Sequence, residues 1–254
     1  MAPRPTNDRW TTRELSRETW PDFEGFFARF GGVQAGCWCM YYRRERPNHA
    51  PTEEERIELN RQDHRRAVHS GTATGILVYP RTTPVGWCQF DRREHLPRFD
   101  AGRKYQALVA RDRSAVDWRI SCFFVDPTAR RTGVTEVALR AALAGIARRG
   151  GGVVEAFPTT NPRAVASWFG SLGTFRRAGF RPVARFGASH VVVRRRVLGR
   201  VARAPSRAAG SRRTRREAST RRRGPPPPRR SAVPSGARRP AARPRSPRTR
   251  SRRS

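Results

Sequence analysis

The stretch that most limits what this chain can fold into runs from Trp118 to Leu143: "WRISCFFVDPTARRTGVTEVALRAAL". Eight almost uninterrupted apolar and aromatic residues, Trp118 to Val125, read as a strand covered on both faces. Pro127 ends it, the adjacent Arg130 and Arg131 follow, and Gly133 leads directly into a helix with Val134, Val137, Ala138, Ala141, Ala142 and Ile146 on one side. A buried strand, "GVVEAFP", comes next, and a second helix is read from Ser167 to Ala178. Strand, helix, strand in this order requires a crossover and a parallel pair within the sheet. It also aims the mouth of a helix, with unpaired N–H groups and a partial positive charge, at whatever lies beyond the strand end. Gly133 lets an anion approach the backbone, and Arg130 and Arg131 add long-range attraction.

The spacing here is Arg-x-x-Gly-x-Thr, distinct from G-x-x-x-x-G-K-[ST] and from G-x-G-x-x-G, so neither a P-loop nucleotidase nor a dinucleotide oxidoreductase is favoured. Upstream, "WTTREL" reads as a strand, and Trp20, Phe23, Phe26, Phe27 and Phe30 recur at helical spacing before Gly31-Gly32. Thr52 with Glu55 three residues later forms a capping box, opening a charged helix that runs to about His69. "ATGILVY" and "PVGWCQF" form a hairpin, "CWCMYY" reads as extended, and residues 92–112 as a long irregular connection over a site. "FRPVARF" and "HVVVRRRV" make a final strand pair.

Charge separates the chain into two parts. All aromatic residues precede Gly187, and from Gly199 to Ser254 there are twenty Arg against the single acid Glu217. That segment, with its run Pro225 to Pro228, cannot bury enough apolar surface to offset the entropy of ordering, so one folded domain over 1–198 and a disordered Arg/Pro-rich tail over 199–254 are expected. Such a tail attracts phosphate backbones without sequence preference, which defines a rival, nucleic-acid-associated and non-catalytic reading. It has no aromatics to stack bases. The same composition arises when GC-rich DNA is translated out of frame.

No apolar run reaches the ~20 residues of a membrane span, and the start lacks a secretory core, so a cytoplasmic protein away from membranes is expected. Four cysteines, Cys37, Cys39, Cys88 and Cys122, fit a reducing compartment. The spacing Cys37-x-Cys39 is tighter than a zinc C-x2-4-C and the His residues are scattered, so no metal is expected.

Together with "VVEAFP" and "FRRAGF", the segment "FFVDPTARRTGVTEVALRAAL" resembles the GNAT acyltransferase superfamily, over most of residues 10–197. "CWCMYYR", "GWCQF" and "WFGSLGTFRRAGF" are similar to an uncharacterised bacterial branch of it. The resemblance implies an α/β fold with a mixed, mostly antiparallel sheet, one parallel splayed strand pair and flanking helices. It implies an N-acetyltransferase that uses acetyl-CoA as co-substrate and a small-molecule or peptide amine as acceptor, with a homodimer allowed. By position, Arg130, Arg131, Thr132, Gly133, Val134 and Thr135 would hold the pyrophosphate, Phe124 and Val125 would pair with the pantetheine arm, and Asn161 and Phe175 would border the acetyl end. Thr135 replaces the usual Gly/Ala of that signature. Many members place a Glu on the strand before the loop and a Tyr in the last helix; here those positions hold Arg119 and Phe175. Either the amine arrives already neutral or loses its proton through water, or another group substitutes, with Cys122, Glu155, Tyr41 and Tyr42 as the local candidates. Trp38, Tyr41, Tyr42 and Trp87 could line an acceptor pocket.

Overall fold

A computed structural model of the chain describes residues 9–110, 115–161 and 168–200. The expected tail from 199 onward lies outside the described residues, save Gly199 and Arg200. Seven strands form one sheet: β1 (Thr11–Glu14), β2 (Gly75–Tyr79), β3 (Gly86–Arg92), β4 (Trp118–Val125), β5 (Gly151–Ala156), β6 (Arg181–Phe186) and β7 (His190–Leu198), ordered β1-β2-β3-β4-β5-β7-β6. Every neighbouring pair is antiparallel except β4 and β5. This is the mixed sheet expected from the strand-helix-strand order. Among the described residues six α-helices flank it: α1 (Trp20–Ala28), α2 (Glu53–His69), α3 (Arg98–Ala101), α4 (Arg103–Val109), α5 (Val134–Arg148) and α6 (Leu172–Arg177). Among the described residues no helix is long and apolar enough to cross a membrane.

The parallel crossover is built by α5, which buries Val134, Val137, Ala138, Leu139, Ala142, Leu143 and Ile146. These pack on Ile76, Val78, Cys88, Phe90, Ile120 and Phe123. The start of α5 comes unusually close to the sheet: a Cβ at Gly86 would lie 2.3 Å from Val134 Cγ1, so only glycine fits opposite Val125. On the other face α1 and α2 cover Leu77, Tyr79, Trp87 and Phe124 with Trp20, Phe23, Phe26 and Phe27. The Thr52–Glu55 capping box is formed in both directions, at 3.2 and 3.3 Å, and fixes the start of α2.

Three expectations are corrected. Cys37–Tyr42 is turned and not extended, because Trp38 and Cys39 are both left-handed, at φ 45° and 54°, which carries the Trp38 ring into the core. The connection 92–112 is not irregular: its described part holds α3 and α4 and buries Leu96, Phe99 and Tyr105 beneath the β5–β7 end of the sheet. The last helix is shorter than its pattern, six residues starting at Leu172, with Ser171 capping the Thr174 N–H and 168–170 in a turn.

His64 is completely buried, 4.8 Å from the Phe23 ring and 5.7 Å from Trp20, and neither ring nitrogen has a hydrogen-bond partner among the described residues. Burial holds its pKa down to about 3, with Arg43 adding to the effect. A histidine of ordinary pKa, about 6.5, in the unfolded chain binds a proton first, so stability falls as pH drops from 6.5 toward 3. We expect roughly 2–3 kcal/mol to be lost by pH 4.5 through this residue alone, at 1.36 kcal/mol per pH unit. Urea unfolding of H64F at pH 7 and pH 4.5 should show that loss greatly reduced. An unchanged acid limb would assign it to other groups.

Candidate active site

Strand β4 carries the site because its two neighbours treat its halves differently. Pairing with β5 covers Trp118, Arg119 and Ile120 and then stops, so Ser121–Val125 diverge from β5 while still paired with β3. On the β3 side the register jumps from Gln89↔Cys122 to Phe90↔Ile120, leaving Ser121 as the extra residue of a β-bulge. The bulge resets the alternation of side chains. Ser121, Cys122 and Phe124 consequently all face α1, whereas Phe123 and Val125 face α5.

Backbone direction follows the same alternation. Asp126 donates to Val85 O at 2.9 Å across the β3 ladder, so Phe124, two residues before it, also points its backbone toward β3. Phe123 and Val125 point into the divergence. This corrects the expectation for Phe124: its backbone is committed to the sheet, and its ring lies against Phe26, Phe30 and Trp168. The Phe123 N–H already donates to Trp168 O at 2.6 Å, and Thr159 exchanges backbone hydrogen bonds with Gly170 and Leu172. The Trp168–Leu172 segment therefore bridges the inner part of the opening, and Val125 stands at its outer part.

Beyond Val125 the chain turns through Pro127–Ala129, where Asp126 caps Thr128, into the Arg130–Gly133 loop. Arg131 and Gly133 both adopt left-handed backbone, at φ 63° and 89°. The N-cap position of α5 is Gly133, with no side chain bonded to the helix end, and Thr132 Oγ1 turns back to Ala129 O at 2.6 Å. Residues 130–133 form a turn, and among the described residues no backbone N–H from Arg131 to Thr135 makes a close hydrogen bond. Arg130 and Arg131 have no ion-pair partner there either. A Cβ built on Gly133 meets nothing within 4 Å, so nothing crowds the loop at that position.

On the α1 side of β4 lies a cavity of about 360 Å³. Ser121, Cys122 and Phe124 form its floor, and Phe27, Tyr41, Tyr42, Trp168 and Phe169 supply most of its walls. Three of the four thiols line it: Cys37, Cys39 and Cys122. The turned Cys37–Tyr42 segment is held there by Trp87 Nε1, which donates to Cys39 Sγ at 3.0 Å, and by Gln89 Nε2, which donates to Cys39 O at 2.9 Å. A hydrogen bond from the Cys39 thiol holds Cys37 down to about 7, whereas burial pushes Cys39 up. Burial also raises the Tyr42 hydroxyl, making it a poor base.

Two of the candidate acid–base groups separate here. Cys122 lies on the cavity floor, half-buried. Glu155 lies elsewhere, fully buried at the opposing position of β5, where it accepts from Tyr105 Oη at 2.8 Å, Arg119 Nε at 3.3 Å and Arg194 Nε at 2.9 Å. Its oxygens are held by two guanidiniums and a phenol, and it is not among the residues lining the cavity, so its position does not support the catalytic role expected of it. Phe175 is also fully buried, edge-on to Phe123 at 6.0 Å and to Phe180 at 5.0 Å, with its ring packed beneath Gly170 of the bridging segment. Asn161 is exposed just past Thr159, its N–H donating to Thr159 Oγ1 at 3.1 Å. Sequence reasoning did not identify Ser121, Trp168 and Phe169 as lining residues; a one-residue bulge and an irregular turn leave no periodic signature.

No family model matches the chain, and no curated protein matches it by sequence. Among solved structures it is similar to one named as a GNAT-family acetyltransferase from Desulfovibrio desulfuricans (12% identity, 74% of this chain and 99% of that one, TM-score 0.43). It is similar to an acetyltransferase from Thermus thermophilus (16% identity, 74% and 96%, TM-score 0.42). A third is yncA from Salmonella typhimurium, solved with its cofactor acetyl-CoA (12% identity, 76% and 97%, TM-score 0.42).

Proposed function

We propose that the chain is an N-acetyltransferase that moves the acetyl group of acetyl-CoA directly to an amine. The observation that supports this most is the run of amides from Arg131 to Thr135 without a close hydrogen bond among the described residues, around an uncrowded Gly133 and beyond the strand whose pairing with β5 ends at Ile120. A diphosphate would sit on those amides, with Arg130 and Arg131 beside it. From there an extended pantetheine arm would follow Val125 as an added strand follows a sheet edge. It would bring the thioester to the bulge at Ser121 and Cys122, beside the aromatic cavity that would receive the amine. The Phe123 N–H, given to Trp168 O in this structure, is the donor placed to polarise the thioester carbonyl once that bond exchanges. The amine nitrogen then forms the C–N bond, the C–S bond breaks, and the amine proton ends on the departing thiol. Proximity supplies much of the rate, since no carboxylate faces the cavity among the described residues.

Acetyl-CoA should raise the melting temperature of the full chain. At 100 times Kd the stabilisation is about 2.7 kcal/mol, several degrees for a domain of this size. No shift at millimolar ligand would refute the reading. We further propose that the folded unit ends near Leu198, the last residue of β7, and that the basic tail is dispensable for this binding. A chain ending at Leu198 should show the same acetyl-CoA affinity at constant salt; a large loss would assign the tail a part in the site.

A further inference from the structure

We infer that the cavity beside β4 selects a neutral amine carried on an apolar, aromatic body, and excludes polyamines and amino-acid zwitterions. The inference rests on the acyl-transfer reading for the role of that amine as acceptor, but its chemistry comes from the cavity itself. Phe27, Tyr41, Tyr42, Phe124, Trp168 and Phe169 supply aromatic surface, Cys39 and Cys122 add soft apolar surface, and Cys37 is the thiol that ionises near neutrality. Among the described lining residues there is no carboxylate, guanidinium or ammonium. The internal amide is already satisfied: Gln89 donates to Cys39 O at 2.9 Å and accepts from Ser121 Oγ at 2.8 Å. A charged group entering here loses its hydration, and among the described lining residues Cys37 alone ionises near neutrality, so a polyamine or a zwitterion leaves at least one charge unpaired, at a cost of several kcal/mol.

The surroundings act in the same direction. Arg98 lies on the Tyr41 ring, 4.0 Å from its centroid, and places a positive charge beside the cavity wall that repels cations. The closest buried carboxylate behind the wall, Asp91, is occupied by Arg43 at 2.5 Å and by His95 at 2.8 Å. At about 360 Å³ the space is at the small end of ligand cavities, which run from about 300 to 1,000 Å³. One substituted aromatic ring on a short stem suits that size; an oligosaccharide does not. Burial also lowers the pKa of an entering ammonium, so the nucleophile sheds its proton on entry. That accounts for a site that works with Arg119 in place of a carboxylate on β4 and with Glu155 locked away.

The test uses the full chain and three probes: 2-phenylethylamine, spermidine and glycine. Cys37 lines the cavity and titrates near neutrality, so its alkylation by iodoacetamide at pH 7.5, followed by mass spectrometry, reports occupancy without any turnover. We expect 2-phenylethylamine to slow Cys37 alkylation at least fivefold, with spermidine and glycine without effect. With acetyl-CoA present, thiol release should favour 2-phenylethylamine at least tenfold in kcat/KM. W168E, which places a carboxylate at the wall, should give spermidine a protection that it lacks in the parent and narrow that preference. Equal or greater protection by spermidine or glycine, or none by 2-phenylethylamine, overturns the inference, and thermal stabilisation by coenzyme A then leaves acyl transfer standing. Protection by 2-phenylethylamine without any coenzyme stabilisation overturns acyl transfer, and with it the occupant's role as acceptor.

Discussion

Replacing Gly133 with Glu should abolish most coenzyme binding while leaving the domain folded. The residue sits at φ 89° and ψ 0°, and its absent side chain faces a space with no atom within 4 Å. A Glu there meets no steric obstacle; it suffers only the left-handed backbone, about 1–2 kcal/mol. Its carboxylate, however, stands in front of the amides from Arg131 to Thr135 and consumes the positive end of α5. Repulsion against a diphosphate at this range is about 3 kcal/mol at an effective dielectric between protein and water, or roughly 100-fold in Kd. Isothermal titration with coenzyme A measures it directly. G133N is the matched control, since Asn tolerates the left-handed region and is uncharged; it should bind within a few-fold of the parent. Wild-type affinity in G133E would place the diphosphate elsewhere. An equal loss in both variants would mean that backbone shape, not charge, governs the site.

The sequence made this loop legible because its physics is local. A buried strand, a glycine and an amphipathic helix are each encoded within a few residues, and α5 buries the stripe that its 3.6-residue period predicts. The hairpin of β2 and β3, the α2 capping box and the parallel β4–β5 pair were legible for the same reason. The cavity was not. It depends on a bulge at Ser121 that only the pairing with β3 defines, and on two left-handed residues, Trp38 and Cys39, whose types do not favour that backbone. Tertiary hydrogen bonds to Gln89 and Trp87 hold the segment there. Charge pairing was equally invisible: Glu155 read as a lone acid in an apolar run, although its partners lie 36 and 39 residues away in sequence.

Those partners make Glu155 the most consequential single residue for stability. Arg119, Glu155 and Arg194 stand directly opposite one another on β4, β5 and β7, so one row across the sheet reads positive, negative, positive. Arg119 is fully buried and also holds both oxygens of Asp100, at 2.9 and 2.8 Å, and Leu96 O at 3.3 Å, tying the α3 segment to the sheet. Tyr105 and Phe99 flank its guanidinium at 4.7 and 5.2 Å. Removing the carboxylate takes away the anion that two buried guanidiniums share, although Arg119 keeps its pair with Asp100. Breaking a buried pair in this way costs about 3–5 kcal/mol, so E155Q should melt on the order of 10 °C lower. By contrast E136Q, which removes a half-exposed helix pair with Arg140, should change stability by less than about 0.5 kcal/mol. Activity separates structure from catalysis: below its melting point E155Q should keep its kcat and pH profile, because the carboxylate faces α3 and α4 and not the cavity. A fall in kcat with an unchanged melting temperature would restore Glu155 as the base and require that its lock with Arg119 open during turnover.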